Sequence, residues 1–391
     1  MDFEFWWLIV CPLFFGLGWI AARIDIKHLV RESRSLPRSY FRGLNFLLNE
    51  QPDKAIEAFI EVVKVSPETV DLHFALGNLF RRRGETDRAI RMHRNLLERS
   101  DLGPEQRQHA LAALGEDFLK AGLLDRAEDS FSQLKDTPLR GQSLKHLLDI
   151  YQLERDWTRA IETAEALARE SGQPLQKEIA NYRCERAQVE QARSDVAAAR
   201  RELLQALEVN RRCVRANIML GDLAALEDDH AAALEAWRRI EEQNPAYLAL
   251  VARRILDSYR AMGRLNEGLK LVKSYLANHP SLDLLDVAFQ STLEVEGADE
   301  AHRLVREELR RNPTLLGLDH LLEAQLLTVP GEQRQELELV KSLVHGQTRR
   351  LARYRCENCG FRARQFYWQC PACAGWETYP PRRTEEFELS L

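Results

Sequence analysis

Residues 36 to about 313 copy one pattern at a spacing near 34, and that period constrains the fold more than any other property of this chain. The clearest pair of copies is "RGLNFLLNEQPDKAIEAFIEVVKVSP" followed by "LGNLFRRRGETDRAIRMHRNLLE". Gly43 and Gly77 stand 34 apart, as do Ala55 and Ala89. The phase continues approximately through Gly115, Ala127, Ala160, Ala199, Gly221, Ala233, Gly268 and Ala301, and Pro67, Pro245, Pro280 and Pro313 close units. A unit of this length cannot bury its apolar face alone, so neighbouring copies must stack. Small residues at fixed phase mark places where two helices cross closely and a larger side chain would force them apart.

"LG" recurs at 76–77, 114–115 and 220–221, with Phe80 and Phe118 three residues after the glycine. Tyr151 and Tyr259 hold that aromatic position in two units that lack the glycine, and the stretches 180–213 and 282–313 match the pattern in part. This resembles the tetratricopeptide repeat, a helix-turn-helix unit. The resemblance implies an all-α fold, a tetratricopeptide repeat superhelix of about eight or nine units over residues 36–345. First helices line the concave face of such a stack, which suits a peptide or a protein. On that phase Asn78, Arg82, Arg215, Asp222, Arg253 and Asp257 are the polar residues of the concave repeat face. Aromatics in the array are read as core filling, and none is assigned to a cofactor.

Ahead of the repeats, residues 5–22 read "FWWLIVCPLFFGLGWIAA", eighteen residues without a charge. A helix of that length covers about 27 Å of hydrocarbon, enough for one N-terminal transmembrane helix. Trp6, Trp7 and Trp19 sit near its ends, where indoles favour the headgroup level. Asp2 and Glu4 stand where a signal peptide carries basic residues, and Ile20 spoils a small-residue cleavage site, so the segment is read as an uncleaved anchor. The basic juxtamembrane segment, 23–35, and the start of the repeats carry Arg23, Lys27, Arg31, Arg34, Arg38 and Arg42 against Asp25 and Glu32. The positive-inside rule then puts the main body in the cytoplasm and the N-terminus on the opposite side of the membrane.

Four of the seven cysteines lie in "RCENCGFRARQFYWQCPACAGW", residues 355 to 376. Cys356 and Cys359 form one C-x2-C step and Cys370 and Cys373 another, ten residues on. Two such turns present four soft thiolates to one metal ion, iron or zinc, with no position left for a substrate, which favours a structural site over a catalytic one. The stretch resembles rubredoxin-like and zinc-ribbon knuckles, with Ala374 where the second knuckle usually has glycine and a spacer shorter than in electron-transfer rubredoxins. It predicts a rubredoxin-like module over 346–379, its aromatics docking it against the last helices, followed by a tail, 380–391. Cys11, Cys184 and Cys213 are isolated in apolar or helical patterns, which fits a reducing compartment and inert packing.

No phosphate loop, H-E-x-x-H or G-x-S-x-G signature occurs, so the chain is read as non-enzymatic. A net charge of -5 gives no global case for nucleic acid, although the arginines around the cysteines make that module basic. An anchor, a repeat array and "YRCENCGF" with "CPAC", in that order, resemble the lipopolysaccharide assembly protein B family, also called the LapB or YciM family, over essentially the whole chain. The resemblance implies a single-pass adaptor of the bacterial inner membrane that promotes proteolysis of LpxC, the lipid A pathway deacetylase, by the membrane-anchored protease FtsH. It also implies an opposing inner-membrane regulator that senses lipopolysaccharide and acts through the transmembrane region. Lys27, His28 and Arg31 would there contact a membrane partner or lipid, and a homodimer is admissible. The alternative is a redox scaffold using the four-cysteine centre, or a nucleic-acid-binding scaffold using its basic surface.

Overall fold

The computed structural model describes residues 38–49, 51–65 and 70–385. The segment 5–22 and Lys27, His28 and Arg31 lie outside them. Among the described residues no helix is long and apolar enough to cross a membrane. Eighteen α-helices and one 3-10 turn fall there into two compact units, divided between Glu154 and Arg155.

The first unit comprises α1 (Arg38–Leu48), α2 (Pro52–Val65), α3 (Val70–Arg82), α4 (Thr86–Leu97), α5 (Pro104–Lys120), α6 (Leu124–Ser132) and α7 (Arg140–Glu154). The second opens with α8 (Trp157–Ser171), α9 (Gln176–Ala192), α10 (Val196–Val209), α11 (Val214–Leu226) and α12 (His230–Gln243). After a 3-10 turn, Pro245–Tyr247, it continues through α13 (Leu248–Ala261), α14 (Leu265–Asn278), α15 (Leu282–Val295), α16 (Ala298–Arg311), α17 (Leu315–Thr328) and α18 (Gly331–Leu351).

The small residues do what their phase demands. A Cβ placed on Gly43 of α1 would sit 2.6 Å from the ring of Phe59 in α2, and one on Gly115 of α5 would sit 2.8 Å from Phe131 in α6. Gly221 of α11 meets Trp237 of α12 more closely still. Each ring lies sixteen residues after its glycine, so one spacing builds the same crossing repeatedly. Ala55, Ala89, Ala127, Ala160, Ala233 and Ala301 are fully buried, for the same reason. Gly77 faces His93 in that slot, and one nitrogen of the buried imidazole meets a carboxylate, Nδ1 lying 2.5 Å from Asp117 Oδ2. Arg81 in turn donates to Asp117 Oδ1 at 2.7 Å.

Turns inside the helix pairs put one residue in the left-handed region. Gly84, Gly122 and Gly263 take it without a Cβ penalty, whereas Arg155, Ser194 and Asp228 adopt φ of 57°, 64° and 62°. Each of these three is followed by an aspartate whose side chain accepts from the third residue of the next helix: Asp156 from Arg159, Asp195 from Ala198, Asp229 from Ala232. A cap of that kind contributes about 1 kcal/mol, which offsets the strain of the residue before it.

Helix α18 runs directly into a small antiparallel sheet of order β2-β1-β3, formed by β1 (Ala352–Arg355), β2 (Arg362–Ala363) and β3 (Thr384–Glu385). The chain is therefore a tetratricopeptide repeat array with a C-terminal four-cysteine module.

Candidate metal centre

The two C-x2-C turns are built alike. In the first, the Gly360 N–H donates to the Cys356 carbonyl at 2.9 Å and the Cys356 N–H donates to Phe361 at 2.8 Å. In the second, Ala374 donates to Cys370 and Cys370 to Gly375, both at 2.9 Å. Gly360 and Ala374 occupy equivalent corners with φ of 75° and 54°, so the alanine read from the sequence as a departure still makes the turn, with a Cβ in a region that disfavours one.

This arrangement gathers Cys356, Cys359, Cys370 and Cys373 so that all four Sγ atoms lie within 4.8 Å of one another. Cys356 Sγ is 3.8 Å from Cys373 Sγ, and Cys359 Sγ is 3.7 Å from Cys370 Sγ. A tetrahedron with metal–sulfur bonds of about 2.3 Å has edges of about 3.8 Å, so these thiols fit one tetrahedral ion. Cys356 and Cys370 are buried and Cys359 is exposed. The Gly375 N–H, with the Asn358 amide 3.5 Å away, lowers the Cys373 thiol below its ordinary range, favouring the thiolate that a metal requires. Iron and zinc both accept such a ligand set, and an ion held by these four cysteines would tie the two loops at one point.

The module is seated on the repeats of the second unit through aromatic rings. Trp376 meets Tyr182 of α9 edge-on at 5.9 Å and Trp157 of α8 at 6.2 Å, while Trp368 stacks on Tyr247 at 5.4 Å with planes 10° apart. Between the two indoles sits Arg215 of α11, 2% exposed, with its guanidinium carbon 5.6 Å from the Trp368 ring and 5.7 Å from the Trp376 ring. Its Nη2 donates to Glu185 at 2.7 Å and Gln188 at 3.0 Å. Asn181 of α9 donates to Glu377 Oε1 at 2.8 Å; burial, opposed by that amide, still raises the Glu377 carboxyl above its ordinary range. At the other end Arg383 donates to Asp283 of α15 at 2.7 Å, and burial raises that carboxyl too, against the arginine. The sequence suggested docking on the last helices; the seat instead reaches back from α15 to α8, because the partner rings lie at the start of the second unit.

The residues assigned to the concave face separate. Arg215 is covered by the module, as just described. Asp222 is half-buried and takes an ion pair from Arg254 at 3.2 Å, Asn78 accepts from Arg81 at 2.7 Å, and Arg82, Arg253 and Asp257 are exposed. Asn181, Tyr182, Tyr247 and Asp283 were not singled out from the sequence, where they look like ordinary helix residues. Their one signal is that they fall on or just before first helices of successive units, the row on which Arg215 was placed.

A row of first helices carrying a four-thiol knuckle defines a class: a tetratricopeptide repeat protein with a rubredoxin-type module docked on its repeats. The sequence family described as "Rubredoxin metal binding domain" matches residues 354–381, and "Tetratricopeptide repeat" matches 42–104 and 184–247. Lipopolysaccharide assembly protein B of Escherichia coli strain K12 is 33% identical over 379 residues, 96% of this chain and 97% of that protein. Its counterpart in Haemophilus influenzae is 32% identical over 397 residues, 97% and 98% of the two chains. The chain belongs to the lipopolysaccharide assembly protein B family. Among solved structures, the C-terminal part of a repeat protein from Cytophaga hutchinsonii is 13% identical with a TM-score of 0.38, covering 68% of this chain and 98% of that one. A repeat protein from Parabacteroides merdae gives 12% and 0.33, covering 74% of this chain and all of that one.

Proposed function

We propose that this protein is a non-enzymatic adaptor in lipopolysaccharide assembly, tethered to the inner membrane by residues 5–22, which brings the deacetylase LpxC to the protease FtsH. The supporting observation is the metal centre itself: four thiols close on one another and on no open position, and the module they form is spent on fixing repeats together. Such a site shapes a surface and leaves no coordination position for a substrate. The relatives named for lipopolysaccharide assembly match over nearly the full length of both chains. Tethering confines the repeats near a membrane protease and raises their effective concentration, so the cytoplasmic contact need not be tight. Lys27, His28 and Arg31 would lie at the membrane face, where an inner-membrane lipopolysaccharide sensor could engage the anchor. The test is quantitative proteomics after depletion: the deacetylase should accumulate, and a chain beginning near residue 36 should fail to restore its turnover. Restoration to the full-length level would defeat the tethered-adaptor reading.

A further inference from the structure

The strap Tyr379–Arg383 leaves the module and lands on the repeats. Its first residue is fully buried, with the hydroxyl donating to the Tyr354 carbonyl at 3.1 Å; its last is held by Asp283. Pro380 and Pro381 between them restrict the backbone. Arg382 is thus displayed at a set position between two anchors. It is exposed, and among the described residues no carboxylate pairs with it.

Three surface cavities meet at this side chain, of about 350, 360 and 700 Å³. The first has an apolar wall of Leu282, Leu285 and Pro313 beside Arg382. Helices α15 and α17 begin at its edge, capped by Ser281 and Thr314, and their N-terminal partial charges add to the arginine's. The carboxylate in the wall, Glu308, is almost wholly buried and takes a hydrogen bond from the Asn312 amide at 2.8 Å. The cavity therefore offers a free, preorganised cation and an apolar surface within a volume suited to one or two residues.

We infer that this cavity captures the C-terminal residue of a partner polypeptide, the terminal carboxylate on Arg382 and an apolar side chain against Leu282, Leu285 and Pro313. A chain end carries both groups on one carbon, which a cation and an apolar wall in the same small cavity match. A side-chain carboxylate in mid-chain would need a neighbouring residue to cover that wall. The inference deepens the adaptor reading by naming how a client or protease could be gripped, and it rests on that reading only for the partner's identity.

The test uses the purified full-length protein and fluorescein-labelled Gly-Ser peptides ending in Leu, Phe or Ala, each made as the free acid and as the C-terminal amide. Fluorescence anisotropy should show at least one acid binding with a Kd ten-fold or more below that of its amide. Arg382→Glu should abolish that preference without changing the thermal unfolding midpoint. Equal binding of acid and amide for all three ends, no binding by any, or unchanged acid binding by Arg382→Glu would overturn the inference. Client turnover in cells is scored separately, so the adaptor reading can stand when this cavity's role falls, and the reverse.

Discussion

Asn181 and Glu377, 196 residues apart in sequence, are joined by a 2.8 Å hydrogen bond from the amide Nδ2 to the carboxylate Oε1. Burial raises the Glu377 carboxyl, with Glu178 adding to the shift and Asn181, Lys177 and Arg215 opposing it. A carboxyl raised in the folded state binds its proton more tightly there than in the unfolded chain. Its contribution is therefore greatest below the ordinary value of 4.5 and is lost as pH climbs through the folded-state value. Glu377→Gln should flatten this limb of the stability–pH curve, as read by urea denaturation between pH 4 and pH 8. Asn181→Ala, which leaves the carboxylate without its donor, should cost about 1–3 kcal/mol.

Arg215 lies between the module's two indoles, and its contacts with those rings and with its acceptors depend on a planar guanidinium. Removing one member of a buried pair typically costs about 3–5 kcal/mol. Arg215→Ala should release the module, seen as faster proteolysis between residues 355 and 380. Arg215→Lys should rescue it incompletely, since an ammonium cannot lie flat between two indoles. Protection equal to wild type in Arg215→Ala would mean that the rings alone hold the seat.

Ala374 takes a left-handed conformation that its glycine counterpart, Gly360, takes freely. The Cβ penalty is roughly 1–2 kcal/mol, and glycine's greater freedom in the unfolded chain returns part of it. Ala374→Gly should stabilise the metal-loaded protein by about 0.5 kcal/mol, and Gly360→Ala should destabilise it by about 1 kcal/mol. Both are measurable by denaturant titration at fixed metal.

Metal binding should be stoichiometric at one ion per chain by elemental analysis, and a cobalt-substituted protein should show the intense thiolate charge-transfer bands of four-sulfur coordination. Cys356→Ser or Cys370→Ser, at the two buried thiols, should lose the ion and raise amide hydrogen exchange in the first turns of α9, α11 and α15. Exchange unchanged in those turns would show that the module stays seated without its metal.

Gly221→Ala would drive a methyl group into the Trp237 indole, and overpacking of this kind costs about 1–3 kcal/mol. Trp237→Leu on its own opens a cavity. The double variant should be more stable than the sum of the two single effects predicts, and strict additivity would deny the contact.

Much of the array was legible because its physics is periodic. Gly43, Gly115 and Gly221 recur in phase, and each demands the same close crossing sixteen residues from a ring. The cysteines were legible because metal ligation imposes a spacing that survives in one dimension. The seat of the module was not. Trp376 meets Tyr182 and Arg215, yet nothing in those residues' local pattern distinguishes a ring that fills its own repeat from one that receives a distant segment. His93 was equally opaque, since its partner Asp117 lies in the following repeat and its role depends on a glycine in its own.

Because α18 leads straight into β1, the knuckles leave the ribosome after every helix that seats them. Until then Tyr182, Tyr247 and Arg215 have nothing to cover them, and the rows of helices that bear them are already made. A chain stopping before Tyr354 would leave Tyr182, Tyr247 and Arg215 without the rings that cover them. The loops tied at the four thiols therefore close over helices that have already been synthesised.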